Sequence, residues 1–376
     1  MGTEINVNPT MLTWAIARAG YVVGDYLDKF PNVKKWIEKD KNPTVKQLED
    51  FAKRVHIPFG YLFLQEPPKE QIAFPFFRTG NNQTNQVSLN VYDTILILQR
   101  RQDWLSDYLL ENNEDPLSFV SKYDYKAKFE VIVDDIRKTL NVDAEWASAF
   151  STYEETLSFI IKKIEDLGIM INFNGVVENN TQRVIPVEEC RGFVLVNEMV
   201  PFMFVNAADA KAAQLFTIIH ELAHIWLGKS AGFDNQNLLP ANDPIEKLCD
   251  HIAAEFLVPA SSFNRLWVEK PDIVKVARYF KVSPIVIARR ALDLNKITKA
   301  EFFQFYNQYI EGLRLKKESQ GSGGDFYATA RKRISVSFAT YVDQAVKQNK
   351  LLYRDAYKIT GLKGDTYQKF VTNHLF

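Results

Sequence analysis

The stretch LFTIIHELAHIWLG (215–228) decides how the rest of this 376-residue chain is read. Ile218, Ile219, Leu222, Ile225 and Trp226 surround a helix that only His220, Glu221 and His224 make polar. His220 and His224 are four apart, so they project from one face about one turn apart, close enough to grip one ion. Imidazoles at that spacing suit Zn²⁺, and Glu221, beside the first of them, is positioned as a general base for the attacking water. An apolar helix bearing two imidazoles and a carboxylate is costly unless those groups share a partner. A bare H-E-x-x-H also arises by chance, but the chain has five histidines and two of them fall here.

A third ligand lies in EKLCDHIAAEFLVP (246–259), another apolar helix, where Glu246 and Asp250 share a face. Two histidines and one glutamate make a catalytic zinc set with a fourth position left for water. Asp250 is then placed to accept the N–H of a ligating imidazole and hold its orientation. Alone, the two acids would read as a solvated helix start favoured by the helix dipole. The upstream histidines tip that reading toward metal. Cys249 and His251 point to either side of Asp250 and read as a small core residue and a partly exposed one.

Outward from these helices, TLSFIIKKIEDLG (156–168) is an amphipathic helix closed by Gly168. The runs IMINF (169–173), GFVLV (192–196) and FMFVN (202–206) are strands leading into the histidine helix, with Asp209 as its expected N-cap and Gly228 as its stop. The fold class is mainly α with a small β-sheet (α+β). RGFVLVNEMVPFMFVN (191–206), the histidine helix and EKLCDHIAAEFLVP together resemble the ImmA/IrrE metallopeptidases over roughly 154–300. That resemblance implies a gluzincin-like catalytic core flanked by helical domains, with His220, His224 and Glu246 on zinc and Glu221 as the catalytic base. It also implies a regulatory role, since members of the family cleave helix-turn-helix repressors and others sit in toxin–antitoxin or phage-related settings.

Residues 11–65 read as five short helices separated by Gly20, Pro31-Asn32, Asn42-Pro43 and Pro58, with Thr44 and Gln47 as a capping box. Leu12, Arg18, Gly20, Val33, Trp36, Pro43-Thr44, Leu48, Ala52, Phe59 and Leu62 resemble an XRE-type helix-turn-helix domain, which implies DNA contacts from Asn32 to Trp36. Nine Lys/Arg against eight Asp/Glu in 1–66 are a weak footprint for DNA, and docking of a protein is the other reading. Pro67-Pro68 and Phe74-Pro75 mark a linker, and 89–110 and 126–140 read as connector helices. The stretch 271–298 reads as a helix pair, either a second helix-turn-helix or a wall of the peptidase, with Arg290 available to place a substrate. Gly321–Gly324 is a flexible joint. Beyond it Arg331-Lys332-Arg333, interleaved with Tyr327, Phe338 and Tyr341, offers a contact to nucleic acid or an acidic partner, or a solvated helix face.

The expected organisation is therefore a helix-turn-helix domain over 1–66, a helical connector over 67–150, a zinc metallopeptidase domain over 151–313 and a basic helical subdomain over 325–376. Lys plus Arg (46) balance Asp plus Glu (46), which excludes a protein that coats nucleic acid or anionic membrane along its length. Twelve Lys/Arg against five Asp/Glu in 314–376 show that neutrality hides a basic tail. Two cysteines cannot build a disulfide framework. With no basic-then-apolar leader and no apolar run of about 18 residues, the chain reads as soluble, cytoplasmic and without a membrane partner. The leading function is a zinc-dependent regulatory endopeptidase acting on a specific protein such as a helix-turn-helix repressor. The alternative is a DNA-binding regulator or antitoxin-like protein whose peptidase-like domain senses or docks.

Overall fold

The computed structural model describes residues 3–68, 76–77, 88–233, 243–267, 272–317, 333–362 and 364–374. The protein is mainly α-helical with a small β-sheet. Two compact units are present, one comprising 1–73 with 86–92 and the other comprising 74–85 with 93–376. Among the described residues, no helix is long and apolar enough to cross a membrane.

The first unit contains α1 (Pro9–Arg18), α2 (Val23–Lys29), α3 (Pro31–Ile37), α4 (Val45–Arg54) and a 3-10 turn at Phe59–Phe63. Asn8 caps α1 through the Thr10 amide, and Thr44 with Gln47 forms the capping box expected at α4. Leu12, Ile16, Tyr26, Val33, Trp36, Leu48 and Phe51 form its core, with Trp36 edge-on to Phe51 at 6.2 Å. Asn32, Lys34 and Lys35 are exposed on α3.

In the second unit, β1 (Phe76–Phe77), β2 (Met170–Asn174), β5 (Gly192–Leu195), β6 (Phe202–Asn206) and β7 (Ala231–Phe233) form one sheet in the order β1-β7-β5-β6-β2. β5 runs antiparallel to both β6 and β7, while β2 is parallel to β6 and β1 to β7. β3 (Val176–Val177) and β4 (Asn180–Val184) make a separate hairpin. The strands expected from 169–173, 192–196 and 202–206 are therefore β2, β5 and β6, and four short strands were not foreseen.

Period-two alternation gives the sheet two different faces. Ile171, Phe173, Val194, Met203 and Val205 join the main core with α8 (Lys211–Leu227). The opposite face is covered by α5 (Leu89–Glu111) and by α14 (Val336–Lys347), where Phe338 packs edge-on to Phe202 and Trp104. Gln102 on α5 donates to the carbonyls of Leu195 (2.7 Å) and Val200 (2.9 Å), so α5 is bonded into the sheet's surroundings. Around the main core stand α6 (Phe129–Leu140), α7 (Tyr153–Glu165), α9 (Pro244–Leu257), α10 (Ala260–Leu266), α11 (Ile273–Phe280), α12 (Pro284–Asp293) and α13 (Lys299–Lys317). α15 (Tyr353–Thr360) and α16 (Asp365–His374) complete the described chain.

Several expectations are corrected here. α8 is capped at Ala210 instead of Asp209, because the Asp209 carboxylate pairs with Arg191 at 2.6 Å. Of the two readings for 271–298, the wall stands and the second helix-turn-helix falls, because the buried apolar residues of α11 and α12 join the main core. Arg290 is buried, donates Nε to the Val258 carbonyl (3.0 Å) and pairs with Glu255, so it is committed to structure and does not face a substrate. Phe338 is buried, so it cannot offer a nucleic-acid surface. Phe74-Pro75, Gly321–Gly324, Tyr327, Arg331 and Lys332 lie outside the described residues.

Candidate metal centre

α8 is buried along nearly its whole length because both of its flanks are occupied, by the sheet on one side and by α9 on the other. Gly228 ends it in the left-handed region (φ 67°), where a side chain would strike Ser121. The neighbouring helix α9 starts where Asp243 accepts from the amides of Ile245 (2.8 Å) and Glu246 (3.3 Å), with Pro244 as its first residue. That cap puts Glu246 in the first turn and turns it toward the histidines of α8.

His220, His224 and Glu246 converge, all of them buried, with ligand atoms that lie within 4.8 Å of one another. Nε2 of His220 lies 3.1 Å from Glu246 Oε2 and 3.2 Å from Nε2 of His224, which is itself 3.2 Å from Glu246 Oε1. The remaining nitrogen of His220, Nδ1, meets Asp250 Oδ1 at 3.1 Å. Both carboxylates only accept, so both ring nitrogens of His220 donate here; a cation at the centre would displace the proton on Nε2 while Asp250 keeps the one on Nδ1. Two imidazole nitrogens and a carboxylate thus face one point, an arrangement that needs a positive charge, proton or metal ion, to be stable.

The titration behaviour has the same cause. Burial opposes the charge on His220, but hydrogen bonds to Asp250 and Glu246 outweigh it and raise its pKa to about 10. Burial likewise opposes the charge on Glu246, and hydrogen bonds from His220 and His224 hold it well below the usual carboxylate range. For His224 burial prevails and its pKa is lowered. A proton satisfies such a cluster, and so does a metal ion with nitrogen and oxygen ligands.

Glu221 stands beside the cluster and is fully buried. Neither of its carboxyl oxygens has a hydrogen-bond partner among the described residues. Burial, with the nearby charge of Glu246, pushes its pKa well above the ordinary value, although His220 pulls the other way. A buried acid held ready for a proton and bonded to nothing else is what a general base requires. Gly192 on β5 lies beside it, where a Cβ would come within 3.5 Å of Glu221 Oε1. Gly192 was not singled out from sequence; the signal available was a glycine opening a strand, which marks a close approach of another element.

All five residues expected at the site are therefore brought together on α8 and α9. Cys249 is buried in the core, and burial raises its thiol pKa well above normal, so it has no thiolate to offer. His251 is exposed and lies near Phe129, outside the cluster.

No curated protein matches the chain. Residues 334–373 match the model of a domain of unknown function (DUF8813). Residues 164–292, which carry α8, α9 and every residue of the cluster, match the model of Peptidase_M78, the IrrE N-terminal-like domain, and this part of the chain is thus similar to a peptidase family.

Proposed function

We propose that the protein is a zinc-dependent regulatory endopeptidase that cleaves a specific protein, a helix-turn-helix repressor or a toxin–antitoxin partner being the class of target. The observation that supports this reading is the triangle of His220 Nε2, His224 Nε2 and a Glu246 carboxylate, with edges of 3.1–3.2 Å. Ligands about 2.0–2.1 Å from a tetrahedral zinc stand about 3.3 Å apart, close to the 3.2 Å between the two nitrogens and the 3.1–3.2 Å from each to a different oxygen of Glu246. Zinc held there would polarise the scissile carbonyl and ease deprotonation of water.

The protein's own groups do the rest. Asp250 keeps the proton on Nδ1 of His220 and so keeps Nε2 turned inward. Glu221 takes a proton from the attacking water and delivers it to the leaving amine, a transfer favoured by its raised pKa. The apolar wall of α8 keeps bulk water out, which strengthens each of these interactions.

Purified protein should contain one zinc per chain, absent from a H220A/H224A double variant. Glu221→Gln should retain the metal and lose cleavage of the target, assayed with the product of an adjacent repressor gene with and without chelator. Full cleavage by that variant would refute Glu221 as the base. A second reading, a DNA-binding regulator, is supported by the exposed Asn32, Lys34 and Lys35 on α3. It predicts sequence-selective gel shifts that weaken steeply with salt and occur without cleavage.

A further inference from the structure

The sheet face opposite α8 carries a second polar cluster that peptide hydrolysis does not use. Arg101 on α5 is 5% exposed and Asn172 on β2 is 1% exposed. Arg101 donates Nε to the Ile359 carbonyl at 2.8 Å, but its terminal nitrogens reach only long contacts of 3.4 Å, to Asn172 Oδ1 and the Thr360 carbonyl. A guanidinium has donors alone, so Asn172 must turn its oxygen to Arg101. Its Nδ2 is thereby left buried with no acceptor among the described residues. Arg333, just ahead of α14, donates to Asn179 Oδ1 at 3.1 Å, while its own Nε is buried with no acceptor among the described residues.

Arg101, Asn172, Glu178, Asn179, Arg333 and Thr360 line one small, partly open cleft. Burial lowers the pKa of Arg101 to about 10, only partly offset by Glu178, and burial alone lowers that of Arg333. The cleft therefore holds the buried guanidinium of Arg101 and the half-buried one of Arg333 against one carboxylate, with donors on Asn172 and Arg333 that no described residue answers. A cation is repelled by that set, and an apolar ligand leaves its donors bare. An oxyanion answers them, and a phosphate group offers the several acceptor oxygens that converging guanidinia recognise.

We propose that this cleft binds a phosphate group, either inorganic phosphate or the phosphoryl group of a small metabolite. Arg101, Asn172 and Asn179 come from α5, β2 and the hairpin, whereas Arg333 and Thr360 bracket α14 and α15. The bound group consequently joins the sheet to the start of the C-terminal segment that matches a domain of unknown function.

The test is titration calorimetry on the full chain at constant ionic strength, with inorganic phosphate in one arm and adenosine monophosphate in the other. Saturable binding at one site per chain is expected in at least one arm, and the arm identifies the source. Arg333→Gln should weaken it by about tenfold or more. Asn172→Asp should abolish it, since the new carboxylate pairs with Arg101 and repels the anion while preserving the fold, as circular dichroism would report. E221Q should bind as the wild type does, which separates this site from the peptidase reading. No saturable binding in either arm, or affinity unchanged in both R333Q and N172D, would overturn the proposal.

Discussion

Gly192 on β5 lies under Thr217 and Glu221 of α8, and replacing it by alanine probes how tightly the sheet sets the position of the candidate base. A Cβ at 192 would lie 2.5 Å from Thr217 Cγ2, 2.9 Å from the Phe204 carbonyl oxygen and 3.5 Å from Glu221 Oε1. The first two are too close for any carbon. The threonine methyl is buried, so rotating it displaces other core atoms. The Phe204 carbonyl belongs to β6, which pairs with β5 along its whole length, so it cannot retreat alone. Overpacking of this kind costs about 1–3 kcal/mol. At about 2–4 °C per kcal/mol, the melting temperature should fall by about 2–12 °C. Thermal melts of Gly192→Ala, Thr217→Ser and the double variant check the cause, because the serine removes the methyl and should recover about 0.5 kcal/mol or more as coupling. α8 carries both histidines and Glu221 together, so zinc content should survive while cleavage drops. A G192A protein that melts at the wild-type temperature and cleaves normally would refute a close β5–α8 contact.

Three further outcomes are expected. Arg290→Met should cost about 3–5 kcal/mol in urea unfolding, because it leaves Glu255 without its partner in a largely buried site. Hydrogen bonds from Ser262, Tyr279 and Arg265 hold the Glu145 carboxyl down to about 2, against about 4.3 in an unfolded chain. Its contribution is complete above about pH 5 and disappears as pH falls toward about 2, so the melting difference between wild type and E145Q should be level near neutrality and close across that window. With zinc at about a thousand times its dissociation constant, stripping it with a chelator should remove about 4 kcal/mol. That corresponds to about 8–16 °C in wild-type melting, whereas the H220A/H224A variant should not respond.

The residues of the candidate metal centre could be brought together from sequence because their geometry is local. Four residues on a helix make one turn, so His220 with His224 and Glu246 with Asp250 are each paired by the helix alone, and only the meeting of α8 with α9 is tertiary. The helices of the first unit follow from the same periodicity, with breakers between them and a capping box at Thr44. The missed strands had no such signal. β4 (NTQRV) is polar and mostly exposed, and β1 and β7 are two and three residues long. β1 exists only through pairing Phe76 with Gly232, a partner far along the chain.

Charged residues misled for a related reason. Asp209 satisfies every local rule for an N-cap, yet Arg191, eighteen residues earlier, takes its carboxylate. Arg290 reads as a free cation until Glu255 and Val258 are folded against it. Arg101 is the extreme case. In QRRQDW it looks like the solvated face of an amphipathic helix, but its strongest hydrogen bond is to the carbonyl of Ile359, 258 residues away. What local pattern reads as a solvent-facing charge is, in the folded chain, a desolvated guanidinium beside an unpaired amide. The same long-range closure that hid Arg101 in the sequence brings it beside Asn172 and the carbonyls that end α15, a juxtaposition that the composition of no single segment could announce.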